Sequence, residues 1–366
     1  MPSKYKYFSE ILEQEIKSGR YRAADILPGE RTLAEQYSVS RVTIRAGIKL
    51  LVEKHLLMAI PGIGYQVLGD KPVIPRLHTH LVGGAFAGPN TDTPLLYVPY
   101  QLSHSSAQVL EPGGYNLVFA NSDDDVLEER ASLSQLLRHR IDGLLAMPAF
   151  TGGAWNAPVN DTGNYSFYLE LYHAGLPVVL MDRPLAGEGV PGVYNDPVAI
   201  GAMQTEYMLK RGFRQVVFFD DSNDHLGALQ FEGYRRTMEK AGLSPRQVRL
   251  SGFRKNHEWT TPGPRHDAEL EKLLPLLTAD TALLCSPFLV PALDRHFPGN
   301  RHGGFRIEWI CVDFPPGWNG QHVQHYPCIQ RPTAEIGRRA AEKMLQLLRG
   351  EKLEHPVEWV APILQE

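Results

Sequence analysis

Apolar positions change their period once along the chain, near residue 77. Before that point they recur every three to four residues: Phe8, Ile11, Leu12 and Ile16 share one helical face that stops at Gly19. After Pro28 and Gly29, the face formed by Leu33, Ala34 and Tyr37 predicts a second, short helix. Ser40 then offers an N-cap, and Ile44, Ile48 and Leu51 give a third helix an apolar face reaching Lys54. Leu57 to Ile60 and Tyr65 to Leu68 read as two strands around Pro61-Gly62-Ile63-Gly64, a hairpin with a glycine tip.

Two prolines within GDKPVIPR interrupt regular structure and mark residues 70–76 as a linker, which leaves 1–69 as a winged helix-turn-helix domain. Beyond it, from residue 77 to 366, short apolar runs alternate with helical stretches. HLVGGAF, YNLVFAN, GLLAMPA, PVVLMDR, QVVFFDD, TALLCSP and EWICVDF look like buried parallel strands. Leu127 to His139, Ile200 to Lys210, Phe231 to Ala241 and Glu335 to Leu348 supply amphipathic helices between them. The alternation predicts an α/β fold, a doubly wound parallel sheet divided between two lobes, with ligands bound beyond the carboxyl ends of the strands. The expected division puts 77–192 and 331–350 in the first lobe, and 193–330 and 351–366 in the second.

Composition narrows the function classes. No run reaches the roughly 18 to 20 apolar residues of a membrane span, and the first residues lack a secretory apolar region, so the expectation is a cytoplasmic protein without a membrane partner. Cys285, Cys311 and Cys328 lie far apart with no CxxC pair, which points to reduced core residues rather than a zinc site or disulfide framework. Residues 1–70 carry 10 Lys and Arg against 8 Asp and Glu, while the remainder carries 27 against 33, a weak bias toward a basic head on an acidic body.

The head's third helix has the clearest chemistry. Arg41 and Arg45 are four apart and share a face, with the positive end of the helix dipole, Ser40 and Thr43 beside them. That combination suits phosphates and base edges in a major groove, while Ile44, Ile48 and Leu51 occupy the other side. Helix arginines are also ordinary solvated charges, and Gly62 and Gly64 ordinary turn residues; the spacing from Arg31 and the glycine hairpin favour the DNA reading. Leu27-Pro-Gly-Glu-Arg31-Thr-Leu33-Ala34, Val39-Ser40-Arg41-Val42-Thr43-Ile44-Arg45 and Gly62-Ile63-Gly64-Tyr65 together resemble the GntR family of winged-helix regulators. The resemblance implies that Arg31, Ser40, Arg41, Thr43 and Arg45 face DNA and that Gly62, at the wing tip, approaches the minor groove. Gly29 departs from the serine usual in that family.

The body is similar to the effector domain of the LacI family, itself similar to periplasmic sugar-binding proteins. The matching stretches are Gly114-Tyr-Asn-Leu-Val-Phe-Ala-Asn121-Ser122, Arg140-Ile-Asp-Gly143, Gly175-Leu-Pro177 to Asp182-Arg183-Pro184, Gly233-Tyr234, and Ile329-Gln330-Arg-Pro332 before Ile336-Gly337. A head of one type on a body of the other is the arrangement of arabinose-repressor-type regulators. The resemblance implies a carbohydrate effector held between the lobes, with Arg183 and Asp313 at strand ends as the best candidates. Asp313 as a simple turn cap and Arg183 as a structural bridge between lobes remain open beside that reading. Gln230 stands where the family has a sugar-binding arginine, and Cys285-Ser286-Pro287 falls where it has an Asn-Asp pair. Tyr97, Tyr100 and Trp155, in loops after early strands, are candidates for stacking on a sugar or for packing. His78, His80, His322 and His325 lack a supporting carboxylate or cysteine pattern, so no metal or cofactor is expected.

The expected function is sequence-specific DNA binding by a transcriptional repressor, a homodimer on a palindromic operator, whose affinity is controlled by a sugar-like effector. One alternative is a regulator whose body only dimerises. Another is an α/β enzyme with an accessory DNA-binding head, using Asp220, Asp221 and Asp313; it finds no GxSxG elbow, Walker loop or HExxH to support it.

Overall fold

In the computed structural model the three apolar faces of the head converge on one core. Residues 4–22, 25–54, 56–60, 64–67, 79–86, 97–122, 125–149, 163–185, 188–220, 225–249, 254–255, 258–259, 270–271, 274–277, 279–286, 289–313 and 327–365 are described. Helix α1 (Lys4–Lys17) contributes Phe8 and Leu12, α2 (Glu30–Gln36) contributes Leu33, and α3 (Arg41–Glu53) contributes Ile44, Ile48 and Leu51, all buried. A Cβ added at Gly47 would lie 2.4 Å from Phe8 Cδ1 and 2.9 Å from the Tyr5 carbonyl, so α1 and α3 cross this closely because position 47 has no side chain. Strands β1 (Leu57–Ile60) and β2 (Gly64–Val67) pair antiparallel. Ile26 forms a bridge to Gln66, which ties the segment before α2 to the hairpin and completes a winged helix.

Among the described residues the body contains two large sheets. The first is built from β3 (Leu81–Phe86), β4 (Asn116–Asn121), β5 (Gly143–Met147), β6 (Val178–Asp182) and β7 (Gly192–Asn195), between which run α4 (Tyr97–Leu110), α5 (Val126–Arg138) and α6 (Tyr165–His173). The chain then passes through α7 (Pro197–Lys210) into β8 (Gln215–Asp220), α8 (His225–Lys240), β9 (Arg246–Arg249) and a small pair, β10 (Arg254–Lys255) and β11 (Glu258–Trp259). It continues with β12 (Thr281–Cys285), α9 (Val290–His296), β13 (Arg301–His302), β14 (Phe305–Val312) and β15 (Cys328–Gln330), and ends with α10 (Thr333–Leu348), β16 (Val357–Val360) and β17 (Ile363–Gln365).

Strand order in the first sheet is β16-β7-β6-β5-β3-β4, parallel throughout, and in the second β17-β15-β14-β12-β8-β9 with only β17 antiparallel along that path. All seven expected body strands are present. The lobe boundary differs from expectation: β7 extends the first lobe to 195, and β16, expected in the second lobe, pairs with β7 in register Val357↔Gly192. Only Ile363–Gln365 of the terminal segment joins the second sheet. Both strands are short edge pieces with partly exposed residues, which carry no continuous apolar run for a sequence reading to catch.

Apolar residues of α4 and α10 cover one face of the first sheet, and those of α5 and α6 the other. Helices α7 and α8 cover one face of the second sheet. These two helices meet backbone to backbone: a Cβ on Gly201 would lie 1.9 Å from the Gln230 carbonyl, and one on Gly233 2.0 Å from that of Val198. Cys285, Cys311 and Cys328 stand in register on adjacent strands β12, β14 and β15 as buried thiols, none of them in a disulfide. No described helix is long and apolar enough to cross a membrane. The linker 70–76, Gly62, His78, Trp155, Asp221, Pro287, His322 and His325 lie outside the described residues, as do the side chains of Tyr97 and Asp220.

Candidate functional site

Two places gather the candidate residues, the outer face of α3 and the carboxyl edges of the two sheets. In the head, Ser40 caps α3 by accepting a hydrogen bond from the Thr43 amide at 3.2 Å, and its hydroxyl lies 2.8 Å from that of Thr43. Arg41 and Arg45 project from the next turn with side chains 62% and 64% exposed. Both reach one carboxylate: Arg45 Nε lies 2.8 Å from each oxygen of Glu30, and Arg41 stands 3.7 Å from it. Glu30 opens α2, so this contact fixes α2 and α3 against each other. The hydrogen bond from Arg45 also holds the Glu30 carboxyl below its ordinary range. Arg31, the next residue, extends into solvent and pairs with Glu35 at 3.2 Å. Gly29 sits at the N-cap of α2, where it supplies no side-chain cap.

The face opposite the core therefore presents two guanidinium groups, two hydroxyls and a helix N-terminus together. Arginine at this spacing meets phosphates or, as a planar fork, guanine edges, and hydroxyls meet either.

In the body, β6 ends at Asp182 and β14 is followed by Asp313, both with positive φ (63° and 49°). The guanidinium that spans the lobes is that of Arg331, which follows β15. Its Nε donates to Asp313, its Nη1 lies 3.3 Å from Asp182, and its backbone amide donates to Asp313 at 2.7 Å. Asn195, at the end of β7, donates to the Asp182 carboxylate at 2.8 Å and to its carbonyl at 2.7 Å. Asp182 is buried completely and Asp313 is half-buried. One cation thus joins an acid from each sheet, at the strand ends where ligands of such folds bind.

Arg183 donates to the Pro148 carbonyl at 3.3 Å, on its own lobe. Gln230 is half-buried on α8, its carbonyl packed against Gly201, and among the described residues no hydrogen bond joins it to Arg183 or Asp313. Tyr97 and Tyr100, expected in a loop, belong to the first turn of α4; Tyr100 stacks on His104 at 5.6 Å. A helix forms there because Val98, Leu102, Val109 and Leu110 supply a face against α10 and the sheet. His80 contacts the Gly114 carbonyl at 3.0 Å, and among the described residues no group of three metal-ligating side chains converges. A separate hollow of about 450 Å³, flanked by Arg214, Arg246 and Asp280, opens at the opposite, amino-terminal edge of the second sheet.

Sequence reasoning missed Arg331, Asp182 and Asn195 as a unit. Arg331 and its partners are separated by 149 and 18 residues, so no local spacing announces the contact.

Comparison with known proteins follows the same division. Residues 4–67 match the family described as bacterial regulatory proteins, gntR family. Residues 107–256 match the periplasmic binding proteins and sugar binding domain of the LacI family. Arabinose metabolism transcriptional repressors of Geobacillus stearothermophilus and Halalkalibacterium halodurans are 24% and 23% identical over 71% and 67% of this chain, stretches that span 68% and 63% of those relatives. The transcriptional regulator CelR, solved as a cellobiose complex, superposes with a TM-score of 0.63 at 16% identity, covering 93% of this chain and 99% of that one. At that identity the likeness shows the fold.

Proposed function

We propose that this chain, a GntR-type winged-helix head joined to a LacI-type body, is a sequence-specific transcriptional repressor whose operator affinity is controlled by a sugar-like effector. The observation that carries the reading is α3, where Ser40, Arg41, Thr43 and Arg45 are held together on the exposed end of a helix whose opposite side is core. The proposed DNA contacts are Arg31, Ser40, Arg41, Thr43 and Arg45, with Gly62 at the wing. The proposed effector site is the cleft at the strand ends, with Arg183, Asp313 and Gln230 among its walls. The relatives named for arabinose metabolism and the cellobiose-bound CelR support a carbohydrate as the effector class. The repressor works as a homodimer on a palindromic operator, and effector closes the lobes and shifts the equilibrium between the two operator affinities.

Selection of bound duplexes from a random library by the full-length protein tests the head. An enriched palindrome is expected, with affinity that falls steeply with salt and a Kd raised about tenfold or more by Arg45→Ala. Salt-insensitive binding, or an Arg41→Ala/Arg45→Ala chain that binds as the wild type does, refutes the contact face. One observation favours a second reading, a body that only dimerises: both strand-end acids already serve Arg331. Melting with pentoses, hexoses and their acids separates the two, since a ligand bound by the folded state alone raises Tm.

A further inference from the structure

The outermost strip of α3 is apolar over its first two turns, before Lys49 continues it. Val42, in its first turn, is 76% exposed, among the few large apolar side chains in the described structure that face solvent. At about 100° per residue it lies roughly 160° around the helix from Ile44, directly away from the core, and Ala46 continues the strip one turn later. Arg41 and Arg45 flank the strip on one side and Thr43 on the other. Helix formation does not explain this valine, because a β-branched side chain is a poorer helix former than alanine or the straight-chain residues.

The polar groups around it have partners already: both arginines reach Glu30, and the hydroxyls of Ser40 and Thr43 reach each other. What the strip adds at its centre is an isopropyl group that neither donates nor accepts a hydrogen bond. In the major groove one base edge offers an apolar partner, the C5-methyl group of thymine. A cytosine amine or guanine carbonyl pressed against Val42 would lose water and gain no hydrogen bond.

We infer that Val42 is a specificity-determining residue that selects thymine, through its methyl group, at one position of the sequence each head reads. The inference rests on the proposed DNA-contact face. Its test uses duplexes selected from a random library by the full-length protein, with each thymine replaced in turn by uracil, which removes only the methyl. Burial of one methyl group predicts that wild-type Kd rises about three- to fivefold at one thymine of each half-site. Val42→Ser, exposed and so expected to melt with the wild type, should bind thymine and uracil equally at that position and still prefer the same bases elsewhere.

A Val42→Ser chain with the wild-type uracil profile overturns the inference. So does a wild-type chain indifferent to every uracil. Arg45→Ala on the same duplexes keeps the two failures distinct: if it weakens binding while Val42→Ser keeps the wild-type profile, the contact face stands and only the role of Val42 falls. If Arg45→Ala binds as the wild type does, or no sequence is enriched, the contact face itself fails.

Discussion

Replacing Arg331 by leucine removes the guanidinium that, among the described residues, the strand-end acids of both lobes share, and leaves a shorter, uncharged side chain in its place. The side chains involved are 21% exposed for Arg331, 0% for Asp182 and 13% for Asp313. Each carboxylate keeps one donor: Asn195 for Asp182 at 2.8 Å, and the backbone amide of residue 331 for Asp313 at 2.7 Å. Breaking a buried ion pair by removing one partner costs about 3–5 kcal/mol; the surviving donors and the partial exposure of Asp313 place this case lower, at about 2–3 kcal/mol. For a unit the size of the body, that corresponds to a fall of about 3–5 °C in the melting midpoint. Calorimetry on the full chain reads the loss in the body's transition. Asp313→Asn added to Arg331→Leu should cost less than the sum of the single changes, because the two side chains are in direct contact. An Arg331→Leu chain that melts with the wild type, or strict additivity in the double variant, would refute the assignment of Arg331 as the clasp between lobes.

Two further outcomes follow from the same structure. On α10 the hydrogen bond from Arg338, reinforced by Arg339, lowers the Glu335 carboxyl from 4.5 to about 2. A carboxyl with a lowered folded pKa stabilises fully above its unfolded value and loses that contribution as pH falls through the folded one, so the small urea-midpoint advantage of the wild type over Glu335→Gln should hold at pH 6 and shrink below pH 4.5; an advantage that grows on acidification contradicts it. Burial, with the neighbouring Cys328 and Asp313, pushes the Cys311 thiol far above its usual range, and Cys285 and Cys328 are buried beside it. A thiol-specific reagent at pH 8 should therefore leave all three cysteines unlabelled in the folded chain and label them promptly in guanidinium; rapid native labelling would show the strand ladder to be open.

How much of this was legible in the sequence depended on how local the cause was. The head could be read almost to the residue, because Ile44, Ile48 and Leu51 repeat at helical spacing and Ser40 caps within three residues of its partner. The central strands β3, β5, β6, β8 and β12 were legible for a related reason: strands covered on both faces are continuous apolar runs. The edges were not. Val357–Val360 alternates exposed and half-buried residues before its last, buried valine, and what makes it a strand is its partner Gly192–Asn195, more than 160 positions away. Helix α4 was hidden for a different reason: its tyrosines read equally well as loop aromatics, and the face that makes it a helix, Val98, Leu102 and Leu110, gains its meaning only from the α10 residues packed against it.

The strand-end acids carry that lesson into the proposed effector site. From sequence, Asp313 had two readings, sugar ligand or turn cap; the geometry shows the turn and leaves room for the ligand. Its positive φ turns the chain, and both its oxygens accept from Arg331, one from the backbone amide and one from the guanidinium. A carboxylate offers about four acceptor positions, so a group held in this way still has lone pairs to give a hydroxyl. It would give them from a fixed orientation, without losing side-chain entropy at the moment of binding. Asp182, completely buried, is oriented likewise by Asn195 on one oxygen and Arg331 on the other, and backs the same guanidinium from the first lobe. An effector that used Asp313 would thus meet an arrangement already paid for in folding, and one whose two halves belong to different lobes. Arg331→Leu should then weaken effector binding as well as stability, because acids released from their common cation would have to be ordered again by the ligand.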